Sequence, residues 1–339
     1  MGFRVLCLLL ALTALLCGCG QKASAPSAVP ETTMAAELSE QQLEDAYVDA
    51  VFLEIEAPMQ EAVVIVEATE PAIPDILEPV ASGDLVMEND KAIIDYSNTA
   101  DGYAMVRYTA ETQRRIKVQI KSGTTYTYNL PKGEWSVFPL SDGNGTYQIK
   151  VFENVSGSQY SLVAAAEQEV VLTDEFAPFL RPNQFVNYSA ASKAVEKAWE
   201  LTRDIENPLG KVEAVYNFVV TELTYDTQKA ATVKSGYIPV LDSVLEEKKG
   251  ICFDYAALMT GMLRSQGIPC KMVFGYTGGA YHAWISVWTA DTGWVDGVIF
   301  FDGIAWQRLD PTFASYDGQS EQIMKYIANG SNYKEKYFY

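Results

Sequence analysis

The 339-residue sequence contains only one histidine, His282. The chain therefore lacks the paired histidines that pre-arrange two zinc ligands, and any imidazole base must be this residue. Basic residues are also few, because 25 Lys and Arg are outnumbered by 44 Asp and Glu and the formal net charge is −19 at pH 7. This charge excludes a nucleic-acid partner, which calls for a basic surface.

Long apolar runs are missing except near the N-terminus. There Arg4 precedes an apolar run from Val5 to Leu16, which is short for a bilayer span and is placed as an export signal would be. The run ends in "LCGC", which resembles the lipobox of bacterial lipoproteins, whose last cysteine is acylated and becomes the mature N-terminus. We predict a signal peptide over residues 1–18, lipidation of Cys19, and an extracytoplasmic protein anchored to the bacterial cell membrane. Plain secretion or an uncleaved anchor is the alternative.

The acidic residues are concentrated in one segment. Between Gln21 and Leu85 there are 14 Asp or Glu and one basic residue, Lys22, so this segment carries a charge of −13. Ala, Pro, Ser and Glu are frequent there, and like charges keep such a chain extended. We therefore predict that residues 19–85 are a disordered acidic tether.

Residues 86–175 show the two-residue periodicity of β-strands. In "RRIKVQIKSG", Ile116, Val118 and Ile120 alternate with polar residues, which is typical of a half-buried antiparallel strand. Similar runs recur between the turn signals "KSG", "PKGE" and "SDGNG". About seven short strands in this span favour an all-β sandwich, with an immunoglobulin-like arrangement as the nearest type.

In residues 176–339, sequence patterns typical of helices are followed by patterns typical of strands, which indicates an α+β domain. In "NPLGKVEAVYNFVVTELTYD" apolar residues repeat every three or four positions, with Asn207 as the predicted cap and Pro208 in the first turn. A second helix begins after Gly250, places Cys252 in its first turn and stops at Gly267. The runs "CKMVFGY", "YHAWISVW" and "IAWQRLDPT" then read as strands.

Cys252 has the position of a nucleophile. A thiol in the first turn of a helix lies beside unpaired backbone N–H groups and the positive end of the helix dipole, which favours the thiolate. The same N–H groups can stabilise an oxyanion. His282 is the available base, and Asp310, after the next strand, can orient its imidazole. Cys270 is interpreted as a small buried residue.

Three blocks carry a family resemblance: "GICFDYAALMTGMLRSQGIPCKMVFGY", "YHAWISVW" and "WQRLDPT". They resemble the signature blocks of the transglutaminase-like superfamily, which has a papain-like Cys-His-Asp triad. The resemblance implies a transglutaminase-like catalytic domain over residues 176–339, with Cys252 as nucleophile, His282 as base and Asp310 as the residue that orients the base. Active members form an acyl-thioester intermediate. Asp296 and Asp302 remain rivals for the third place.

Three aromatic residues near the predicted triad are candidates for a substrate cleft: Tyr255, Tyr281 and Trp284. A zinc site built from Cys252, Cys270, His282 and a carboxylate is disfavoured, because no two of these ligands have a pre-arranging spacing. We therefore expect no metal and no cofactor.

The expected activity is that of a lipid-anchored cysteine acyl-transfer enzyme acting on protein or peptide amides in the cell envelope. Little in the sequence could keep water from the thioester, which favours hydrolysis by a peptidase or amidase over transfer. Cross-linking by a transglutaminase is the first alternative. A non-catalytic binding or scaffold lipoprotein with the same fold is the second. The sequence leaves the oligomeric state open.

Overall fold

The computed structural model describes residues 72–296, 298–301, 306–309 and 329–339. The predicted signal peptide, the predicted lipidation site at Cys19, and Asp302 and Asp310 lie outside these residues. In the described part of the chain no helix is long and apolar enough to cross a membrane.

Fixed structure begins before residue 86, inside the segment predicted to be a tether. Val80 N–H donates to the Tyr103 hydroxyl at 3.1 Å, and Gly83 N–H donates to the Asp95 carboxylate at 2.8 Å. These residues form no helix or strand, but their backbone is hydrogen-bonded to the first β-sheet. A tether that reaches Leu85 is therefore too long at its C-terminal end.

The N-terminal part of the described chain consists of two four-stranded antiparallel sheets. The first has the order β1 (Val86–Glu88), β2 (Ala92–Asp95), β3 (Tyr103–Tyr108), β6 (Trp135–Pro139). The second has the order β5 (Thr125–Asn129), β4 (Ile116–Lys121), β7 (Gly145–Ser156), β8 (Gln159–Val170). These sheets confirm a β-rich region before the helices.

Alternation along the strands explains how the sheets bury one face. Ile116, Val118 and Ile120 are all buried, whereas Lys121 is exposed. Residues of both sheets belong to the same hydrophobic core cluster. The strand order differs from the immunoglobulin order, in which the second strand pairs with the fifth, because β1, β2 and β3 here form a simple meander.

Five α-helices follow in the described chain. They are α1 (Lys193–Thr202), α2 (Pro208–Glu222), α3 (Thr227–Thr232), α4 (Leu241–Glu247) and α5 (Cys252–Arg264), and short 3₁₀ turns lie at Thr99–Asp101, Ala177–Phe179 and Gly330–Asn332. The start of α2 is as predicted, since the Asn207 side chain accepts the Leu209 N–H at 2.9 Å and Pro208 needs no N–H partner.

Helix α5 packs against a third sheet with the order β13 (Gly293–Asp296), β12 (Ala280–Thr289), β11 (Cys270–Thr277), β16 (Tyr333–Phe338). Two short pairs accompany it: β9 (Thr224–Tyr225) runs parallel to β10 (Lys249–Gly250), and β14 (Val298–Phe301) runs antiparallel to β15 (Trp306–Leu309). The α+β class predicted for this region is confirmed.

Helix α5 is the centre of this region. Every residue from Asp254 to Arg264 is buried, and the helix contacts β11 and β12 on one side and α1, α2 and α4 on the others. The spacing of its apolar residues indicates one buried face, but the helix is buried on every face from Asp254 onward. The buried Arg264 is satisfied by carbonyl groups, donating to Cys270 O at 2.9 Å and to Arg181 O at 2.8 Å.

The β-rich region and the α+β region share their hydrophobic core. The ring of Tyr339, at the end of the third sheet, lies 5.6 Å from the ring of Tyr126 and 5.7 Å from that of Tyr128 on β5. The described residues, from Ala72 onward, fall within one compact unit. The division into domains 86–175 and 176–339 stays a prediction.

Candidate active site

The backbone before Cys252 is held by a parallel strand pair. Lys248 directly follows helix α4 and has a φ of 50°, in the left-handed region. The chain turns at this residue and then enters β10. Thr224 N–H donates to Lys248 O at 2.9 Å, and Asp226 N–H donates to Gly250 O at 2.8 Å. The "LTYD" segment thus holds the backbone of Lys248 and Gly250, shortly before the start of α5.

Cys252 is the first residue of α5, as predicted, and its side chain is half-buried. It lines an open cavity of about 450 Å³. The first N–H groups of a helix have no acceptor within the helix, so those at the start of α5 are available to an anion beside the thiol. The other walls include α3, the segment after it and five aromatic residues: Tyr225, Tyr237, Phe253, Phe274 and Tyr281.

A buried ionic cluster lies directly behind Cys252. The Asp254 carboxylate is fully buried, accepts the Ile251 N–H at 2.8 Å and lies 2.8 Å from Lys229 Nζ. The Tyr237 hydroxyl donates to its other oxygen, and Lys229 Nζ also donates to Tyr237. Gly250 makes this packing possible, because a Cβ at that position would lie 2.5 Å from Asp254 Cβ.

The cluster neutralises a charge that would otherwise oppose the thiolate. A lone carboxylate in the first turn would repel a negative sulfur, but Lys229 supplies the compensating positive charge. Burial tends to lower the pKa of Lys229, yet hydrogen bonds to Asp254 and Tyr237 outweigh it and raise that pKa above its usual value. Burial and the Asp254 charge raise the pKa of Tyr237 to about 12. Lys229 is therefore a cation and Tyr237 a neutral donor near neutral pH.

Sequence reasoning missed most of this cluster. The position of Asp254 in the first turn of a helix predicts that its carboxylate complements the helix dipole, and its bond to the Ile251 N–H is compatible with that role. Its partners Lys229 and Tyr237 lie 25 and 17 residues before it in the chain. The available signal was a charged residue inside an otherwise apolar helix, which requires a partner when buried.

His282 lies on β12, the strand against which α5 packs. Its side chain is 7% exposed, and its ring centroid lies 6.1 Å from that of Trp284 at an interplanar angle of 25°. Ala283, Ile285 and Val287, which alternate with His282 and Trp284 along the strand, are buried in the hydrophobic core. The opposite face of β12 is buried as well, because Trp284 and Ser286 have almost no exposed surface.

Gly275 is the strand partner of His282 in the register of β11 and β12. A Cβ at this position would lie 2.2 Å from Lys334 O and 2.6 Å from Trp284 Cη2. The register of β11 with β16 also shifts between Phe274 and Gly275. Glycine thus lets Trp284 and the β16 backbone approach the strand that carries the predicted base.

The third member of the triad is not located. Strand β15 ends at Leu309, so Asp310 follows it directly but lies outside the described residues, as does Asp302. Asp296 ends β13 at the register position opposite Ser286. The roles of Cys252, His282 and Asp310 as nucleophile, base and orienting residue remain predictions.

Two of the three predicted cleft residues cannot line an open cleft. Tyr255 is 0% exposed and Trp284 is 1% exposed, because α5 is buried on all sides and β12 on both faces. Tyr281 is 53% exposed and lines the cavity with Cys252, and its part in a substrate cleft stays a prediction. Phe253 and Phe274, which the sequence did not single out, line this cavity as well.

The second thiol of the described chain, Cys270, is more deeply buried than Cys252. Cys270 is 0% exposed, and burial raises its pKa to about 12. Its sulfur lies 3.7 Å from the Thr260 hydroxyl oxygen inside the core. Its side chain therefore has the environment of the buried small residue inferred from the sequence.

The sequence of this region matches a known family. Residues 196–311 match the family described as the transglutaminase-like superfamily, a span that contains Cys252, His282 and Asp310. The chain thus contains a transglutaminase-like superfamily domain.

Three curated proteins resemble the chain over similar lengths. They are uncharacterized protein YebA of Bacillus subtilis (32% identity over 117 residues, 29% of this chain), the protein-glutamine gamma-glutamyltransferase of Pseudomonas aeruginosa (28% over 124 residues, 32% of this chain) and uncharacterized protein ML0607 of Mycobacterium leprae (30% over 139 residues, 38% of this chain). The chain spans 16% of the length of each of the first two and 46% of the third.

Solved structures give a looser likeness. A candidate cysteine protease from Cytophaga hutchinsonii superposes with a TM-score of 0.36 at 13% identity, covering 70% of this chain and 83% of that one. Red sea bream transglutaminase superposes with a TM-score of 0.30 at 12% identity, covering 69% of this chain and 56% of that one.

Proposed function

We propose that the transglutaminase-like domain makes this chain a cysteine acyl-transfer enzyme that acts on protein or peptide amides. The observation that carries the proposal is the position of Cys252, at the first residue of α5 and at the wall of an open cavity. Enzymes of the transglutaminase-like fold are typically cysteine proteases or transglutaminases, and the match over residues 196–311 supports that class here.

In the proposed reaction the Cys252 thiolate attacks the carbonyl carbon of an amide. His282 accepts the thiol proton and then gives it to the nitrogen of the leaving amine as the C–N bond breaks. Backbone N–H groups at the start of α5 stabilise the negative oxygen of the tetrahedral intermediate. Asp310 holds the imidazole in the tautomer that accepts the thiol proton. The product of this half-reaction is an acyl-thioester on Cys252.

Hydrolysis of the thioester is the favoured second half-reaction. Cys252 is half-buried and Tyr281 is 53% exposed, so the wall beside the sulfur is open to water. The acyl group passes to water, which regenerates the thiol and releases a carboxylic acid. Transfer to an amine is the alternative, and the relative named protein-glutamine gamma-glutamyltransferase supports that activity.

The site of action is proposed to be the cell envelope, with the protein anchored through a lipid on Cys19. Support comes from the sequence around Cys19, in which an apolar run ends in "LCGC" and a polar segment follows. Mass spectrometry of the N-terminal peptide from cells tests this part. A diacylglyceryl mass on Cys19 is expected, and an unmodified mature N-terminus elsewhere would contradict it.

The activity is tested by product analysis. A glutamine-containing peptide and a cleavable peptide are each incubated with the protein and excess primary amine, and the products are followed by mass. Deamidated or cleaved peptide that depends on Cys252 is expected. Amine incorporation far above hydrolysis would make the chain a transglutaminase, and no product with either peptide would favour a binding or scaffold role.

A further inference from the structure

A second cavity continues the one at Cys252. It has a volume of about 290 Å³ and shares with the first cavity residues 235–237, Phe253, Phe274 and Tyr281. Its far wall comes from β4 and β5 of the β-rich region, through Lys117, Thr127 and Asn129. The two cavities therefore form one groove that begins at the thiol and ends on the second sheet.

Specific contacts hold the two sides of this groove together. Gly236 has a φ of +92°, and a Cβ there would lie 2.9 Å from Asn129 Nδ2, so the segment after α3 lies directly against β5. The Gln184 side chain donates to Asn129 O at 2.8 Å on the same strand. The second sheet is thus a built wall of the groove.

The chemistry of the groove changes along its length. Near Cys252 the rings of Phe253 and Phe274 lie 4.9 Å apart, and those of Phe274 and Tyr281 lie 5.6 Å apart and nearly parallel. At the far end Lys117 Nζ donates to the Asn129 side-chain oxygen at 3.0 Å. Because this amide is neutral, the hydrogen bond does not compensate the positive charge of Lys117. An aromatic surface is therefore followed by a cation.

We infer that this groove binds the stretch of the substrate beside the reacting amide, with a large apolar side chain on the aromatic part and an acidic group near Lys117. The inference rests on the proposed acyl-transfer function and deepens it. Apolar contact supplies the affinity, and the Lys117 charge selects an acidic flank. Substrate selection is then shared between the transglutaminase-like domain and the β-rich region.

The test compares two substitutions on one face of β5. Thr127→Trp places a bulky side chain at the groove, and Thr125→Trp places it two residues away on the same exposed face. Each protein is given an N-acetylated glutamine amide and a longer peptide with leucine and glutamate on both sides of the glutamine. The ratio of kcat/KM for the long substrate to that for the short one is expected to fall about 10-fold in Thr127→Trp and to stay at the wild-type value in Thr125→Trp.

A charge reversal tests the far end separately. Lys117→Glu is expected to lower the preference for the peptide with flanking glutamate over one with flanking glutamine by about 5-fold at low salt, whereas Lys121→Glu on the same strand is not. Equal ratios in the Thr127 and Thr125 variants, or an unchanged preference in Lys117→Glu, would overturn the inference.

Binding distinguishes failure of this inference from failure of the proposed function. Cys252→Ala protein is titrated with the fluorescently labelled long peptide, with and without Thr127→Trp. Weaker binding in the Thr127→Trp background supports the groove even if wild-type protein turns over neither substrate. Equal affinity in both backgrounds would contradict it.

Discussion

The two cysteines of the described chain show how position, more than residue type, decides what a thiol can do. Cys252 begins α5 at the wall of an open cavity, two residues before Asp254, whose carboxylate forms an ion pair with Lys229. Cys270 begins β11 inside the core, where burial raises its pKa to about 12. The two positions are 18 residues apart and are joined by one helix and its turn. A half-buried thiol at a cavity wall and a fully buried thiol therefore lie at the two ends of the same local structure.

The sharpest way to break the comparison is to remove each sulfur in turn. We expect Cys252→Ala to lower turnover of a peptide amide by about 10³-fold or more, because it removes the nucleophile. Cys270→Ala should keep turnover within a few fold and lower the free energy of unfolding by about 1 kcal/mol, because it leaves a small cavity. Steady-state kinetics and urea denaturation of both variants check this. Comparable losses of turnover would contradict the assignment.

Substitutions of the predicted base and its orienting residue should have the next largest effect on turnover. We expect His282→Ala to remove nearly all turnover, and Asp310→Asn to lower it by about 10³-fold with the fold retained, because an amide favours the wrong imidazole tautomer. Asp296→Asn and Asp302→Asn are the matched controls. Circular dichroism and kinetics of the four variants decide between them. Full activity in Asp310→Asn, together with loss of activity in one of the controls, would assign the third position of the triad to that control residue instead.

The ion pair behind Cys252 has a smaller expected effect, mainly on stability. Lys229→Met leaves the fully buried Asp254 carboxylate without its cation, which we expect to cost about 2–4 kcal/mol. Lys193→Met, which breaks the exposed pair with Glu246, is the control and should cost much less, because solvent screens this pair. Chemical denaturation measures both. Adding Asp254→Asn to Lys229→Met should recover part of the loss, and equal costs in the two single variants would rule out a special role for the pair.

The smallest effect concerns the pH dependence of Cys270. Its raised pKa means that the folded state holds the thiol proton more tightly than the unfolded chain does. The contribution of this group to stability is therefore fully present below the unfolded value, near 9, and declines as the pH rises toward about 12. We expect the stability difference between wild type and Cys270→Ala to narrow over this window in denaturant titrations. A constant difference would mean that Cys270 does not titrate as a buried thiol.

Local patterns were sufficient to predict the parts of the fold that depend on local physics. The alternation in β4, the Asn207 cap of α2 and the start of α5 at Cys252 follow from side-chain periodicity and capping. The burial of Tyr255 and Trp284 could not be predicted in this way, because it depends on how α5 is enclosed and how β12 is covered on both faces. The contact of Asp254 with Lys229 likewise joins distant positions in the chain.

The groove shared with the β-rich region was also beyond sequence reasoning. The sequence of residues 86–175 contains no recognisable cluster of reactive side chains, so it does not point to a contact with substrate. The approach of Gly236 to Asn129 requires the positions of two segments more than 100 residues apart. Wall residues such as Thr127 carry no chemical signature, so only the fold identifies them.

The measurement that tests the central claim most directly is the capture of the acyl group on a named sulfur. The protein is mixed with a glutamine-containing peptide, quenched in acid within milliseconds to seconds, digested and analysed by mass spectrometry, with neutral hydroxylamine used to cleave thioesters. We predict that the acyl mass appears on the peptide containing Cys252, is removed by hydroxylamine, and is missing from the peptide containing Cys270 and from Cys252→Ala protein. Turnover of the substrate with no adduct on Cys252, or with an equal adduct on Cys270, would contradict it.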